Sequence, residues 1–455
     1  MSSETVLKSF HLLGLNGYRD VGVVCDSEVS IVIAENGSGK TTLLNAMYGV
    51  LSGRLERLRE IDFRELVFEF TSQREPFRIE KATLFEYLTA PTEKGSENLI
   101  KLQQYGYSTD ELFAFARALH GGRNAFLDTT EFRRLYANTP YSKEDLVEML
   151  DTIAPANVSE AAAAAIREFV KAGMQGLEPL YLTTYRRIEA EVPEYKRESE
   201  PFYLRRSVTE KANAERLIFF GMRDVERRLE ELTELIRRDT FDGYLQLSRR
   251  MLDELLNLQG NLAIEGELNV ESLRTVLGRL GRMGEDSERR ITQLVEAGRL
   301  QENKPLAYFL HQLSALYERQ RSSEAALAAF VEIVNKYWEG SPRDKLLEFD
   351  KTRVRVRTRN LFTQSEIPLG ALSSGEKQIV SIFARLLLDP GRKFLILIDE
   401  PELSLSIDWQ RRFLVDLKAT SGCGQLLAIT HSPFVFDNEL DEFARPLLVS
   451  NHNAD

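Results

Sequence analysis

The segment that most constrains this chain is Val29–Leu51. There a short apolar run ends in Ala34-Glu35-Asn36-Gly37-Ser38-Gly39-Lys40-Thr41-Thr42 and passes directly into a helix-like stretch. Val29 to Ile33 reads as a strand and Thr41 to Leu51 as a helix. Strand, glycine-bearing loop and helix together form the context in which successive backbone N–H groups wrap an anion. The N–H groups of residues 36–41 can point inward, glycines permit close approach, and the helix N-terminus adds its positive dipole end. Asn36, Gly37, Ser38, Gly39, Lys40, Thr41 and Thr42 are therefore the candidate phosphate loop. Lys40 would face the β- and γ-phosphates, and the Thr41 hydroxyl would ligate Mg²⁺. Such loops usually open on glycine, and this one opens on Ala34. If that position requires positive φ, alanine costs about 1 kcal/mol. Upstream, Val6–Gly14 and Val21–Ala34 are rich in Val, Ile and Leu and read as strands, with a turn at Asp26-Ser27-Glu28.

The complementary chemistry lies near the other end. Phe394-Leu395-Ile396-Leu397-Ile398 is a continuous apolar run of the kind found in a buried parallel strand, and it stops abruptly at Asp399-Glu400-Pro401. Asp399 at such a tip can hold Mg²⁺ directly or through water. Glu400 is the candidate general base, a role worth roughly 10²–10⁴-fold in rate. The bland alternative is an acidic strand cap, which does not explain so apolar a strand ending in adjacent carboxylates. A second apolar strand, Gln425–Thr430, delivers His431, the candidate sensor of a terminal phosphate. Ser373-Ser374-Gly375 opens the helix Glu376–Leu388 and offers a second anion site at a helix N-terminus. Two such sites in one chain make sense as a sandwich, in which the serine turn of one subunit closes on a phosphate held by another.

Composition sets outer limits. The 455 residues are 43% hydrophobic and 28% charged, ordinary for a folded soluble protein. The net charge of −11 argues against coating nucleic acid through a global positive field, though a local groove remains open. Paired arginines at 186–187, 205–206, 237–238, 249–250 and 289–290 mostly sit among acids on apparent helices, as on a solvated face. No run reaches the roughly 18–20 apolar residues of a membrane span, and no signal peptide is evident. Two cysteines, Cys25 and Cys423, give neither a disulfide framework nor zinc spacing. A cytoplasmic location follows as the expectation.

Leu372-Ser373-Ser374-Gly375-Glu376-Lys377-Gln378 resembles the signature motif of ABC-type ATPases. Asp399-Glu400 resembles their second acidic motif, Glu402-Leu403-Ser404-Leu405-Ser406 their D-loop, and His431 their switch histidine. The wording of these motifs is similar to the SMC/RecF-like branch and to ATPases of bacterial anti-phage systems, over roughly residues 5–85 and 345–440. The resemblance implies an α/β P-loop head assembled from both chain ends, ATP and Mg²⁺ as cofactors, and Ser373 and Gly375 acting in trans. Glu376 departs from the glutamine of transporter subunits. Gln73 is a weak candidate for the glutamine loop, and Tyr18 for an adenine contact.

The expected organisation is 1–85 as the N-terminal part of the head, 86–200 as its mainly helical lobe, 201–344 as a helical or coiled-coil insertion, and 345–455 as the C-terminal part. Ser159 is placed to cap the alanine-rich helix after it. Ile218, Met222, Val225, Leu229, Leu232 and Ile236 alternate by four and three, a seam of about 28 Å. Leu306, Leu310, Leu313, Tyr317, Leu327, Val331, Val334 and Trp338 continue the pattern, with polar Gln320 and Glu324 inside it. The two stretches would pair as a short antiparallel arm, or else form an ordinary helical lobe. Leu180–Glu189 resembles a strand-to-loop segment of defence-type relatives, which would bring Arg186 or Arg187 toward a nucleotide or an interface. Arg353-Val354-Arg355-Val356-Arg357-Thr358-Arg359 would put four arginines on one strand face, as a charged edge or a docking edge for an acidic partner or nucleic acid.

No HNH, zinc or clustered-acid TOPRIM segment is evident, and about 24 residues follow His431. The expectation is an ATPase of a two-gene anti-phage system: PARIS-like, with a TOPRIM-type nuclease partner and a phage protein as trigger, or Septu-like, with an HNH nuclease. It would assemble as a homo-oligomer of ATP-sandwich dimers. The alternative is an SMC/RecF-like DNA-repair or maintenance ATPase. A transporter ATPase fits the long helical insertion poorly, and a non-hydrolysing scaffold fits Glu400 poorly.

Overall fold

The structure is a computed structural model, and it describes residues 5–87, 93–121, 123–154, 156–182, 221–256, 275, 277, 285–297, 299, 303–340, 343–389 and 391–452. By contact the chain divides into two compact units, one from the residues up to 218 and from 392 onward, the other from 219–391. Residues 345–391 fall in the second of these units.

The first unit is built on two sheets. Strands β1 (Leu7–Leu15), β2 (Arg19–Val24), β4 (Glu65–Phe70), β5 (Phe77–Glu80) and β14 (Leu448–Asn451) form an antiparallel sheet in the order β14-β2-β1-β4-β5. Strands β3 (Val29–Ile33), β8 (Glu178–Leu182), β11 (Phe394–Asp399), β12 (Cys423–Thr430) and β13 (Ala444–Pro446) form a parallel sheet in the order β13-β3-β12-β11-β8. Every residue of β11 is buried, as an apolar strand covered on both faces must be. The register does the positioning: Ile33 of β3 lies level with Thr430 of β12, and Asp399 of β11 level with Ile429. The start of the glycine-bearing loop, the acidic tip and the histidine therefore emerge at one end of the sheet. The helix Lys40–Leu51 packs into the same core, with Leu43, Leu44 and Met47 beside Leu395, Leu397, Leu427 and Ile429. Strands β6 (Phe85–Tyr87) and β7 (Ala156–Val158) form a short antiparallel pair, and residues 93–153 add helices around their own cluster, which includes Leu112, Phe132, Leu146 and Leu150. Ser159 does precede the helix Glu160–Gly173, but its hydroxyl is spent on Glu86 Oε1 at 2.5 Å and makes no cap bond. β8 supplies the strand expected before residue 183; Arg186 and Arg187 lie outside the described residues.

In the second unit, two helices, Met222–Leu256 and Lys304–Trp338, pack against each other. Met222, Val225, Leu229, Leu232 and Ile236 are all buried, and Ile218 lies outside the described residues. Leu247, late in the first helix, clusters with Ala307, Leu310 and Leu313, early in the second. Glu324, polar within the seam, is buried and accepts the Tyr317 hydroxyl at 3.0 Å. The arginine-rich stretch is shorter than expected. Strand β10 begins at Arg355 and pairs with β9 (Lys345–Asp350) in a two-stranded sheet, while Arg353 belongs to the turn and buried Val354 takes a left-handed φ of 49°. Acids balance the guanidinium groups: Arg355 meets Glu366 at 2.9 Å, Arg357 meets Glu348 at 3.1 Å, and Arg359 shares Glu348.

Candidate functional site

The candidate phosphate loop follows β3 and leads into the helix Lys40–Leu51, as the sequence leads one to expect. Gly37 and Gly39 have φ of 77° and 93°, a conformation that favours glycine. Ala34 is outside the left-handed region, so the cost anticipated for replacing glycine there is not incurred. Its N–H donates to the Thr430 carbonyl at 3.2 Å, tying the loop to the end of β12. The Ser38 hydroxyl donates to the Glu35 carbonyl at 2.7 Å, and Thr42 lies in the first helical turn.

Both acids from the distant end arrive at this loop. The Thr41 hydroxyl donates to Asp399 Oδ2 at 2.6 Å. Lys40, 6% exposed, places Nζ 2.6 Å from Glu400 Oε1 and 3.3 Å from Asn36 Oδ1. Glu400 takes a left-handed φ of 51°, which is costly for a side chain bearing a Cβ, by about 1–2 kcal/mol. Its N–H donates to the Ile429 carbonyl at 2.9 Å, which helps hold that conformation. A hydroxyl and a carboxylate side by side are hard oxygen donors of the kind Mg²⁺ takes alongside phosphate. Thr41 and Asp399 thus fit a magnesium ion, and Lys40 with the loop N–H groups fits a polyphosphate.

His431 follows β12 and pairs through Nδ1 with Glu402 Oε1 at 2.9 Å. Glu402, 7% exposed, also accepts the His431 N–H at 3.2 Å and the Thr430 hydroxyl at 2.8 Å. By sequence Glu402 belongs to a loop motif and has no part in holding the histidine; the Glu400-Pro401-Glu402 spacing is the available signal. Nor does the sequence single out Arg19, whose Nη1 donates to the Gly37 carbonyl at 2.8 Å and whose Nε donates to Asn451 Oδ1 at 3.0 Å. The face of Tyr18 carries that guanidinium at 5.1 Å. Gln73 sits in the β4–β5 connection, its N–H on the Phe70 carbonyl.

Ser373 and Gly375 belong to the second unit. Ser373 caps the helix Ser374–Leu387, and Gly375 is buried in its first turn. The Ser373 hydroxyl and N–H both reach Glu376 Oε2 at 2.8 Å, a capping box, and Lys345 meets Glu376 Oε1 at 2.9 Å. Burial alone would push the Glu376 carboxyl up; Lys345 and the two Ser373 bonds outweigh it and hold the group below the usual carboxylate range. That pairing is what glutamate brings here in place of glutamine. Burial pushes the Cys25 thiol up to about 11 and that of Cys423 up to about 12, so both stay protonated. Among the described residues no helix is long and apolar enough to cross a membrane.

Residues 286–437 match the family model described as AAA domain, putative AbiEii toxin, Type IV TA system. No curated protein matches the chain. Among solved structures, the chain is similar to an Smc head domain with an extended coiled coil bound to the C-terminal domain of ScpA, from Pyrococcus furiosus. That alignment has a TM-score of 0.36 and 12% identity, covering 98% of this chain and 96% of the other. An SmcHead bound to the C-winged helix domain of ScpA gives 0.35 and 10%, covering 98% of each.

Proposed function

We propose that the protein binds and hydrolyses ATP with Mg²⁺ at the site formed by residues 36–42 and Asp399, Glu400 and His431. The observation that carries this reading is the meeting of Lys40 with Glu400 and of Thr41 with Asp399 at 2.6 Å each. A strand cap or a chance glycine turn has no need of the other's residues; a polyphosphate site needs both. The family match over residues 286–437 supports the reading independently.

Lys40 and the loop N–H groups bind the phosphates, and Thr41 with Asp399 holds the metal, which when bound supplies charge neutralisation for the transferring phosphoryl group. Lys40 exchanges Glu400 for a phosphate oxygen on binding, and the released carboxylate becomes free to accept the proton of the attacking water. His431 contacts the terminal phosphate. Ser373 and Gly375 complete the site from a second copy of the chain, giving an ATP-sandwich homo-oligomer of the ABC type.

At the biological level the reading is a cytoplasmic sensor ATPase of an anti-phage system controlling a separate effector, a TOPRIM-type nuclease, in response to a phage protein. The alternative is an SMC/RecF-like DNA-repair or DNA-maintenance ATPase, which would show turnover rising with DNA and binding falling steeply with salt. The test of the site is nucleotide binding by calorimetry. Lys40→Ala should lose ATP affinity by about 10²-fold, the loss of a charged hydrogen bond and an ion pair to phosphate. Unchanged affinity would remove the assignment.

A further inference from the structure

Both oxygens of the Glu402 carboxylate are committed to the two residues that end β12. Oε1 accepts the backbone N–H of His431 at 3.2 Å and lies 2.9 Å from its Nδ1. Oε2 accepts the Thr430 hydroxyl at 2.8 Å, and the same hydroxyl accepts the N–H of Ser432 at 3.0 Å. An ionised carboxylate has only lone pairs to offer, so the ring nitrogen facing it must carry the proton. A second residue closes the bracket. Gln410, on the helix Ile407–Lys418, donates Nε2 to the Leu405 carbonyl at 3.0 Å and to the Glu402 carbonyl at 3.4 Å. Its Oε1 accepts the Ser432 hydroxyl at 2.9 Å. Residues 402–405 and 430–432 are thus joined through two side chains, with Ser404 in the left-handed region at φ 67° between them.

We propose that Glu402 is the positioning residue for His431: it fixes the Nδ1–H tautomer, so that Nε2 is the nitrogen presented to the terminal phosphate, and with Gln410 it makes the 402–405 loop and the 430–432 segment move as one unit. This rests on the ATPase reading and adds to it a route by which the loop after the acidic strand controls the histidine. A ring whose Nδ1–H is already engaged presents Nε2 outward, as an acceptor when neutral and a donor when protonated. The half-exposed His431 side chain leaves that edge accessible, whereas Glu402 is enclosed.

The decisive measurement is the ¹⁵N–¹H long-range NMR spectrum of the imidazole in the full chain, assigned with His431→Ala. The Nδ1–H pattern is expected, and an Nε2–H pattern in the wild type overturns the proposal whether or not the protein hydrolyses ATP. Variants then test the consequence. In Glu402→Gln the amide oxygen can still accept from His431 while its NH₂ faces Thr430, so tautomer and kcat should be retained to within about threefold. Glu402→Leu has no acceptor; the tautomer should redistribute, and kcat should fall by about 10–100-fold at unchanged KM for ATP. Added to His431→Ala, Glu402→Leu should cost nothing further. Equal activity of Glu402→Leu and wild type, or losses that multiply in the double variant, would count against it. Should the wild type fail to turn over ATP while His431 shows the Nδ1–H pattern, the ATPase reading falls and the positioning geometry stands.

Discussion

Glu400 occupies a backbone conformation that a glutamate holds only under constraint, and the constraint is visible in its φ of 51° and its N–H bond to Ile429. Strain of that kind concentrates where a side chain must be aimed. Here it aims the carboxylate at Lys40 rather than leaving it as a solvated cap. Replacing Glu400 with glutamine preserves shape but removes the proton acceptor. Glu400→Gln should therefore bind ATP at least as tightly as wild type, because Lys40 no longer has an anionic competitor, while single-turnover hydrolysis falls by roughly 10²–10⁴-fold. Wild-type turnover in that variant would contradict its role as base. The residues whose roles come from local sequence, Gly37, Gly39, Lys40 and Thr41, were legible because strand, loop and helix are contiguous. Glu402 and Arg19 were not, because their roles exist only through contacts with His431 and Gly37 that folding creates.

Among the elements, the buried strands were the most readable: β3, β11 and β12 are short apolar runs bounded by turns or by acids. The arginine strand was misjudged at its start because Val354, an unfavourable residue for positive φ, is nevertheless in the turn. Arg237 Nη2 donates to its carbonyl at 2.9 Å and to that of Arg353 at 3.2 Å. No sequence pattern announces a turn held by a helix more than a hundred positions away. The helix Ser374–Leu387 shows the same dependence, since Glu376 of its capping box also pairs with Lys345 on β9. Glu376 has its folded pKa depressed, so its stabilisation is fully present above the unfolded carboxylate range near pH ~4.3 and is lost as pH falls through the lower folded value. Lys345→Met should lower stability at pH 7 by about 2 kcal/mol in denaturant titrations, with the gap narrowing below about pH 4. A gap that widened on acidification would show that Lys345 acts through something other than the Glu376 charge.

At the scale of the whole molecule, motif order along the chain foretold that its two ends share one sheet, and β3 pairing with β12 carries that out. The division into compact units was not legible. It places Ser373 and Gly375 with the long helices rather than with the phosphate loop, which motif order alone cannot reveal. In the proposed site, MgATP is held by Lys40, Thr41 and Asp399 of one copy and closed by Ser373 of another. The most direct test is steady-state ATP turnover of Lys40→Ala and Ser373→Arg, each alone and mixed in equal amounts. Each variant alone should be inactive, and the mixture should recover about a quarter of wild-type turnover, since half the random dimers carry one intact composite site. Full activity of Ser373→Arg by itself, or a mixture no more active than its components, would contradict the claim.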